Sequence, residues 1–149
     1  MNDTIVRNWN SRVQENDIVI FLGDFCFVPP KFMIKGGGVF ESERRPYKWL
    51  SLLNGYITFI KGNHDHSNSL NTRIIYLYLH IANRPIFCTH NPINCNPKYR
   101  INLVGHVHEK WKVQKRYNSY LVNVGVDAWD YHPVDINEIL KAINKFKKE

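Results

Sequence analysis

The sequence has few cysteines and does not pair them. Its 149 residues contain three, Cys26, Cys88 and Cys95, and no C-x-x-C motif. An odd number without such a pair argues against a disulfide framework and favours reduced thiols in the cytosol. Cys26 and Cys88 each lie two residues from a candidate ligand described below. We expect them to pack in the core rather than to bind metal.

Long apolar runs are also lacking. No run approaches the roughly 18 apolar residues that would be needed to cross a membrane, and the polar N-terminus does not have the apolar core of a secretory signal. We therefore expect a soluble, cytoplasmic protein without a membrane partner. The length favours one domain, residues 1–149, that is large enough to bury a core.

The glycine-rich run Lys35-Gly36-Gly37-Gly38 lacks the G-x-x-x-x-G-K-[ST] order of a phosphate-binding loop, and no helix start follows it. We interpret residues 25–45 as a loop at the edge of a site.

The net charge is +7, and the late basic residues are Lys110, Lys112, Lys115, Arg116, Lys141, Lys145, Lys147 and Lys148. Such a charge attracts polyanions. Neither a helix-turn-helix nor an RNP sequence is present, so a solvated surface is the alternative.

The most distinctive stretch is Lys61-Gly62-Asn63-His64-Asp65-His66, which places four polar side chains in succession. It follows Tyr56–Ile60, whose β-branched and aromatic residues predict a buried strand. Gly62 allows a sharp turn, and ligands of open α/β sheets bind at the carboxyl ends of the strands. A four-residue motif also recurs by chance, so a polar turn capping a strand is the alternative.

Three further apolar runs end in the same way. Asp24 follows Ile18–Leu22, His90 follows Pro85–Cys88, and His106 and His108 follow Ile101–Val104. A lone histidine at a strand end is commonly a core or surface residue, but repetition at four strand ends favours a divalent metal centre. Carboxylate and imidazole together suit Mn²⁺, Fe²⁺, Ni²⁺ or Zn²⁺ better than Ca²⁺ or Mg²⁺.

These motifs carry a family resemblance. Gly23-Asp24, Gly62-Asn63-His64-Asp65, the single His90 and Gly105-His106-Val107-His108 resemble, in this order, the motifs of the calcineurin-like metallophosphoesterases. The resemblance spans most of the chain. It implies an α/β fold, a four-layer α-β-β-α sandwich in which two mixed sheets pack face to face between helices.

The resemblance also implies roles for individual residues. Asp24 would bridge two metal ions, and Asn63, His90 and His106 would complete one of the two positions. His108 would belong to the other position. His64 would be the catalytic histidine beside the leaving group, with Asp65 orienting it.

One family motif is missing. Members of the family begin with a strand ending in Asp-x-His, which supplies two more ligands to the metal that His108 serves, whereas Met1–Thr4 leads directly into a helical pattern. The one Asp-x-His present is Asp130-Tyr131-His132, and these residues or a neighbouring subunit are candidate replacements. We expect the first central strand to be absent. An oligomer or another segment would then cover the free backbone groups, unless the flanking strands close up.

The apolar pattern predicts the remaining elements. They are a helix over Asp3–Val13, a helix from Pro46 to a stop at Asn54-Gly55, a strand pair turning at 82–85 and ending at His90, a hairpin around 117–119 and a final helix beginning at Asp135.

The function predicted from these residues is a metal-dependent phosphoesterase acting on phosphodiesters or phosphomonoesters through a metal-activated hydroxide. Its substrate would be a phosphoester, including a nucleotide or a nucleic acid. We expect one tightly bound ion and a second site that is weak or empty. The alternatives are a catalytically weak or inactive member that binds metal or phosphate, and a basic nucleic-acid-binding module.

Overall fold

The computed structural model describes residues 2–25, 46–65 and 72–148. In chain order the helices and strands are α1 Asn2–Arg12, β1 Ile18–Phe21, α2 Pro46–Leu50, β2 Tyr56–Phe59, β3 Tyr76–Ile81, β4 Arg84–Thr89, β5 Ile101–Val104, β6 Val113–Arg116, β7 Ser119–Asn123 and α3 Ile136–Phe146. Within these ranges no helix is long and apolar enough to cross a membrane. The glycine-rich run and Cys26 lie outside the described residues, so the predictions made for them remain predictions.

The strands form two sheets. β1 and β2 are parallel, and a five-stranded sheet has the order β3-β4-β5-β7-β6. Its three central strands are parallel to one another, and the two edge strands are antiparallel to their neighbours. The predicted α/β fold of two sheets with flanking helices is confirmed. In the described part of the chain β1 pairs only with β2.

A ring contact places α1 against β1, and a capping box sets the start of α3. Trp9 of α1 lies against Phe21 of β1, with ring centroids 6.4 Å apart. Asp135 caps α3 by accepting hydrogen bonds from the backbone N–H groups of Asn137 and Glu138, and the Glu138 side chain returns to the Asp135 N–H. This capping box satisfies amide groups that a helix start leaves unpaired, so it fixes where α3 begins.

The core lies between the sheets and α3. It joins Leu22 and Ile60, which follow β1 and β2, to inward-facing residues of the five-stranded sheet and to Ile139 and Ile143 of α3. Cys88 is completely buried in this cluster. Core packing, the role expected for this cysteine, is therefore what the structure shows.

Two element boundaries differ from the prediction. Helix α2 ends at Leu50 rather than at Asn54, because Asn54 is held against α1: its backbone N–H donates to Asn10 Oδ1 and its side chain donates to the Val13 carbonyl. The turn between β3 and β4 is also shorter than predicted. It consists of Ala82 and Asn83, both with positive φ (48° and 60°), as in a tight two-residue hairpin turn.

Candidate metal centre

The sheet registers bring the polar ends of four strands together. β1 and β2 run in parallel with Phe21 opposite Phe59, so the residues that follow them leave the sheet at the same edge. β4 and β5 are parallel as well, with Thr89 opposite Val104. The chain therefore delivers the residues after β1, β2, β4 and β5 to one region.

Four of the candidate ligands meet there, and we call them the first group: Asp24, Asn63, His90 and His106. The Nε2 atom of His90 lies 2.8 Å from Asn63 Oδ1, 3.2 Å from His106 Nδ1 and 3.2 Å from Asp24 Oδ2. His90 is buried, whereas the His106 ring reaches the surface. Two oxygens and two nitrogens therefore already lie close together in this structure.

The hydrogen bond made by the other ring nitrogen of His90 shows which nitrogen carries the proton. Nδ1 lies 2.6 Å from the backbone carbonyl of Leu22, and a carbonyl can only accept, so Nδ1 donates. In the neutral ring Nε2 is then an acceptor, and it faces the Asn63 carbonyl oxygen and the Asp24 carboxylate. Three hydrogen-bond acceptors that face one another cannot bond to each other, but they can share a cation. A metal-ligating histidine usually donates its second ring N–H to a carbonyl or carboxylate, as His90 does here.

The His106 ring carries little charge at neutral pH. Its pKa lies below the ordinary value of 6.5, mainly because desolvation penalises the charged ring and also because the imidazoles of His90, His108 and His64 repel a proton, while Asp24 acts in the opposite direction. At neutral pH the ring is therefore uncharged. A metal ion would not have to displace a proton from it.

Asp65 supports the loops that carry this group. Its carboxylate is buried, and Oδ2 accepts hydrogen bonds of 2.8 Å from the backbone N–H groups of Asp24 and Gly62. The N–H of His64 donates to Asp24 Oδ1 at 2.8 Å. Asp65 thus joins the loop after β1 to the loop after β2. The orienting of His64 by Asp65 stays a prediction, as does the catalytic role of His64.

Three candidate ligands have backbones in the left-handed region. The φ angles are 58° for Asp24, 68° for His106 and 49° for His108. Such angles are uncommon for residues with a side chain and cluster at functional sites. His106 and His108 are only two residues apart, and the two unusual angles allow their side chains to join different groups.

His108 lies in a separate cluster, which we call the second group: His108, Glu109 and Asp127. One ligand atom from each residue lies within 4.8 Å of the other two, and His108 Nδ1 is 3.0 Å from Asp127 Oδ2. Sequence reasoning missed Glu109 and Asp127. The signal was available for Asp127, because it follows β7 as His108 follows β5, but the pairing of these two strands was not predicted.

The Asp-x-His near the end of the chain is in neither cluster. Among the described residues the groups that could hold a metal ion do not include Asp130 or His132. His132 Nδ1 instead lies 2.7 Å from the backbone carbonyl of Asp130, and Asn8 donates to the carbonyl of Tyr131. This segment therefore closes a local turn against α1.

Both groups line one cavity. It has a volume of about 1220 Å³, and its walls include Asp24 and His106 of the first group and His108 and Asp127 of the second. A single ligand in this cavity would have access to both groups.

The chain is similar to an uncharacterized archaeal protein. No family model matches. The chain is 31% identical over 157 aligned positions to the uncharacterized protein MJ1445 of Methanocaldococcus jannaschii, and the match covers 99% of this chain and 77% of that protein. The chain belongs to the family of this archaeal protein.

A solved structure of another protein shares the fold. The crystal structure of the protein of unknown function AQ665 from Aquifex aeolicus superimposes with a TM-score of 0.67 at 19% identity, covering 95% of this chain and 84% of that one. Vps29 from Entamoeba histolytica, in a structure complexed with Zn²⁺, has a TM-score of 0.49 at 18% identity and covers 84% of this chain and 64% of its own. The similarity to the Aquifex protein supports the fold alone.

Proposed function

We propose that this protein is a metal-dependent phosphoester hydrolase, with phosphodiesters as its main substrates. The observation that carries the proposal is the first group, in which four ligand atoms from four strand ends converge with acceptors facing one another. The order of the motifs, which resembles that of the calcineurin-like metallophosphoesterases, supports the choice of reaction.

Asp24, Asn63, His90 and His106 would hold the ion. One carboxylate, one amide oxygen and two imidazoles suit Mn²⁺, Fe²⁺, Ni²⁺ or Zn²⁺. A bound divalent cation neutralises the phosphoryl oxygens and lowers the pKa of water towards about 7. Asp24 contributes the only negative charge of the group, so its carboxylate decides how strongly the group holds a cation.

His64 would act on the leaving group. Its backbone N–H donates a hydrogen bond to Asp24 Oδ1, so the turn that carries His64 is held against one of the proposed metal ligands. As an imidazolium it would donate a proton to the departing alkoxide, a general-acid contribution of about 10²- to 10⁴-fold. In this proposal Asp65 holds the turn in place and orients the ring.

The charge of the chain favours an anionic substrate of some size. The net charge is +7, and the exposed Lys110 and Lys112 follow His108 closely in the chain. A positive field raises the local concentration of polyanions near the cavity. Nucleotides and nucleic acids are therefore the substrate classes that we propose.

The proposal is tested with chelator-treated protein, bis(4-nitrophenyl) phosphate and 4-nitrophenyl phosphate. We expect no release of nitrophenol without metal, release after Mn²⁺ is returned, and a higher rate with the diester. The matched control is the Asp24→Asn protein under the same conditions. Stoichiometric metal binding without turnover of either ester would favour the alternative, a family member that binds metal and does not hydrolyse.

A further inference from the structure

We propose that the outer face of the five-stranded sheet, at β3 and β4, binds single-stranded nucleic acid and leads it to the first group. We call this surface the tyrosine face and define it by four aromatic residues, Tyr76, Tyr78, Phe87 and Tyr99. The inference deepens the proposed function and rests on its nucleic-acid substrate class. Binding at this face requires neither a metal ion nor hydrolysis, so it is tested separately.

The pairing of β3 with β4 explains why these rings share one side of the sheet. Tyr78 lies opposite Phe87, and side chains of directly opposed residues point to the same side. Tyr76 is two residues from Tyr78, so it lies on that side as well. The alternate residues Leu77 and Leu79 pack against the core. β3 therefore turns its leucines inwards and its tyrosines outwards.

The four rings form a continuous array. Tyr76 stacks on Phe87 with ring centroids 5.6 Å apart, Phe87 lies 5.5 Å from Tyr99, and the Tyr78 and Tyr99 centroids are 6.5 Å apart. The completely buried Asn102 supports the array, because its Nδ2 donates to the Tyr99 carbonyl at 3.0 Å. Tyr76 and Tyr78 are nevertheless 54% and 65% exposed. Exposed rings held by their neighbours provide the platform on which the bases of a single strand stack.

The charge of this part of the chain has one sign. Between Asp65 and Glu109 the sequence contains no acidic residue, and its basic residues there are all exposed: Arg73, Arg84, Lys98 and Arg100. Lys98 and Arg100 flank Tyr99 directly in the chain. Phosphates would therefore meet cations and no carboxylate from this segment. This complementarity favours nucleic acid over a second copy of the chain, which carries both signs of charge.

The tyrosine face ends beside the first group. Tyr76 lies opposite Thr89, and the residue after Thr89 is His90, the buried member of that group. At about 3.3 Å per residue, Phe87 and His90 are separated by about 10 Å along the chain. A strand whose bases stack on the tyrosines would therefore carry its phosphodiester backbone towards the proposed metal position.

The test is fluorescence anisotropy of labelled oligo(dT) and oligo(rU) with the full chain in chelator, so that no ester is cleaved. We expect both single strands to bind, and a duplex of the same length to bind more weakly because its bases already stack on one another. Tyr76→Ala, and separately Tyr78→Ala, should raise the dissociation constant by about 5- to 100-fold. An unchanged circular dichroism spectrum shows that each variant is folded.

Tyr47→Ala is the matched control for the loss of a ring. Tyr47 is 74% exposed on α2 and does not belong to the tyrosine face, so this variant should bind as the unaltered protein does. An affinity that Tyr78→Ala leaves unchanged would overturn the assignment. A duplex bound as tightly as the single strand would also overturn it, because stacking on the rings would then contribute nothing.

The cations are tested by the salt dependence of binding. Lys98→Gln combined with Arg100→Gln should lower the slope of log K against log salt by about 1.4, since each lost phosphate contact lowers it by about 0.7. Lys141→Gln combined with Lys145→Gln removes the same net charge from exposed positions of α3 and should leave the slope unchanged. Equal losses in the two double variants would show that binding follows net charge alone, which would overturn the assignment to this face.

Two further outcomes would overturn the inference. One is a chain that binds neither oligonucleotide at low salt. The other is self-association that Tyr78→Ala abolishes, since the tyrosine face would then meet a second copy of the chain. Hydrolysis of bis(4-nitrophenyl) phosphate by a chain that binds no oligonucleotide would overturn this inference alone. Binding in chelator by a chain that hydrolyses no ester with Mn²⁺ would support the tyrosine face and contradict the proposed hydrolysis.

Discussion

Gly62 lies so close to Asp24 that a Cβ atom at position 62 would overlap the Asp24 carboxylate Oδ1 and the Asp24 backbone nitrogen. The loop after β2 thus passes directly over the loop after β1, and only a residue without a side chain allows this approach. The same approach lets Asp65 accept from the N–H groups of both loops.

Gly62→Ala should therefore disrupt the first group. The added methyl group displaces the Asp24 carboxylate, and we expect metal affinity to fall by about 10- to 100-fold or more. Gly105→Ala is the matched control, because a Cβ at that position would meet its nearest atom at 3.4 Å, an ordinary contact. Isothermal titration with Mn²⁺ compares the two. Equal affinities in the two variants would contradict the close packing of the loops.

Asp24→Asn should remove the tightly bound ion. The substitution deletes the only negative charge of the first group while keeping a residue that tolerates the left-handed φ of 58°. We expect stoichiometric metal in the dialysed unaltered protein and none in the variant, by elemental analysis. Asp24→Ala should have the same effect and also release the N–H of His64. A dialysed Asp24→Asn protein that keeps its metal would exclude Asp24 as a principal ligand.

His64→Ala should separate catalysis from metal binding. The proposed task of this ring is to protonate the leaving group, so we expect hydrolysis to fall by about 10²- to 10⁴-fold with metal content unchanged. His80→Ala, at an exposed position of β3, is the control and should hydrolyse normally. Loss of bound metal in His64→Ala would show that the ring is a ligand instead.

Cys88 should resist alkylation in the native protein. Burial raises its pKa from 9.0 to about 12, so almost none of it is thiolate at pH 8, and the side chain is also inaccessible. The partly exposed Cys95 is the internal comparison. Mass spectrometry after iodoacetamide treatment should find Cys95 modified first and Cys88 modified only in denaturant. Rapid native labelling of Cys88 would contradict its place in the core.

The sequence predicted local features better than contacts between segments that are remote in the chain, such as strand pairings. Asp135 as the start of α3 and the polar residue after β1 could be identified from neighbouring residues, because caps and apolar runs are short-range signals. Asp127 was missed although it follows an apolar run, since its relation to His108 depends on the parallel pairing of β5 with β7. The end of α2 at Leu50 was also missed. It depends on hydrogen bonds between Asn54 and α1, which are remote in sequence.

The most direct measurement follows ester hydrolysis and bound Mn²⁺ in the same titration of metal-free protein. The account predicts that the first equivalent binds with little hydrolysis of bis(4-nitrophenyl) phosphate and that the rate rises as the second ion binds, beyond the first equivalent. Addition of a chelator should return the rate to zero. A chain that binds Mn²⁺ at every loading but hydrolyses no faster than the Asp24→Asn protein would contradict the proposed function.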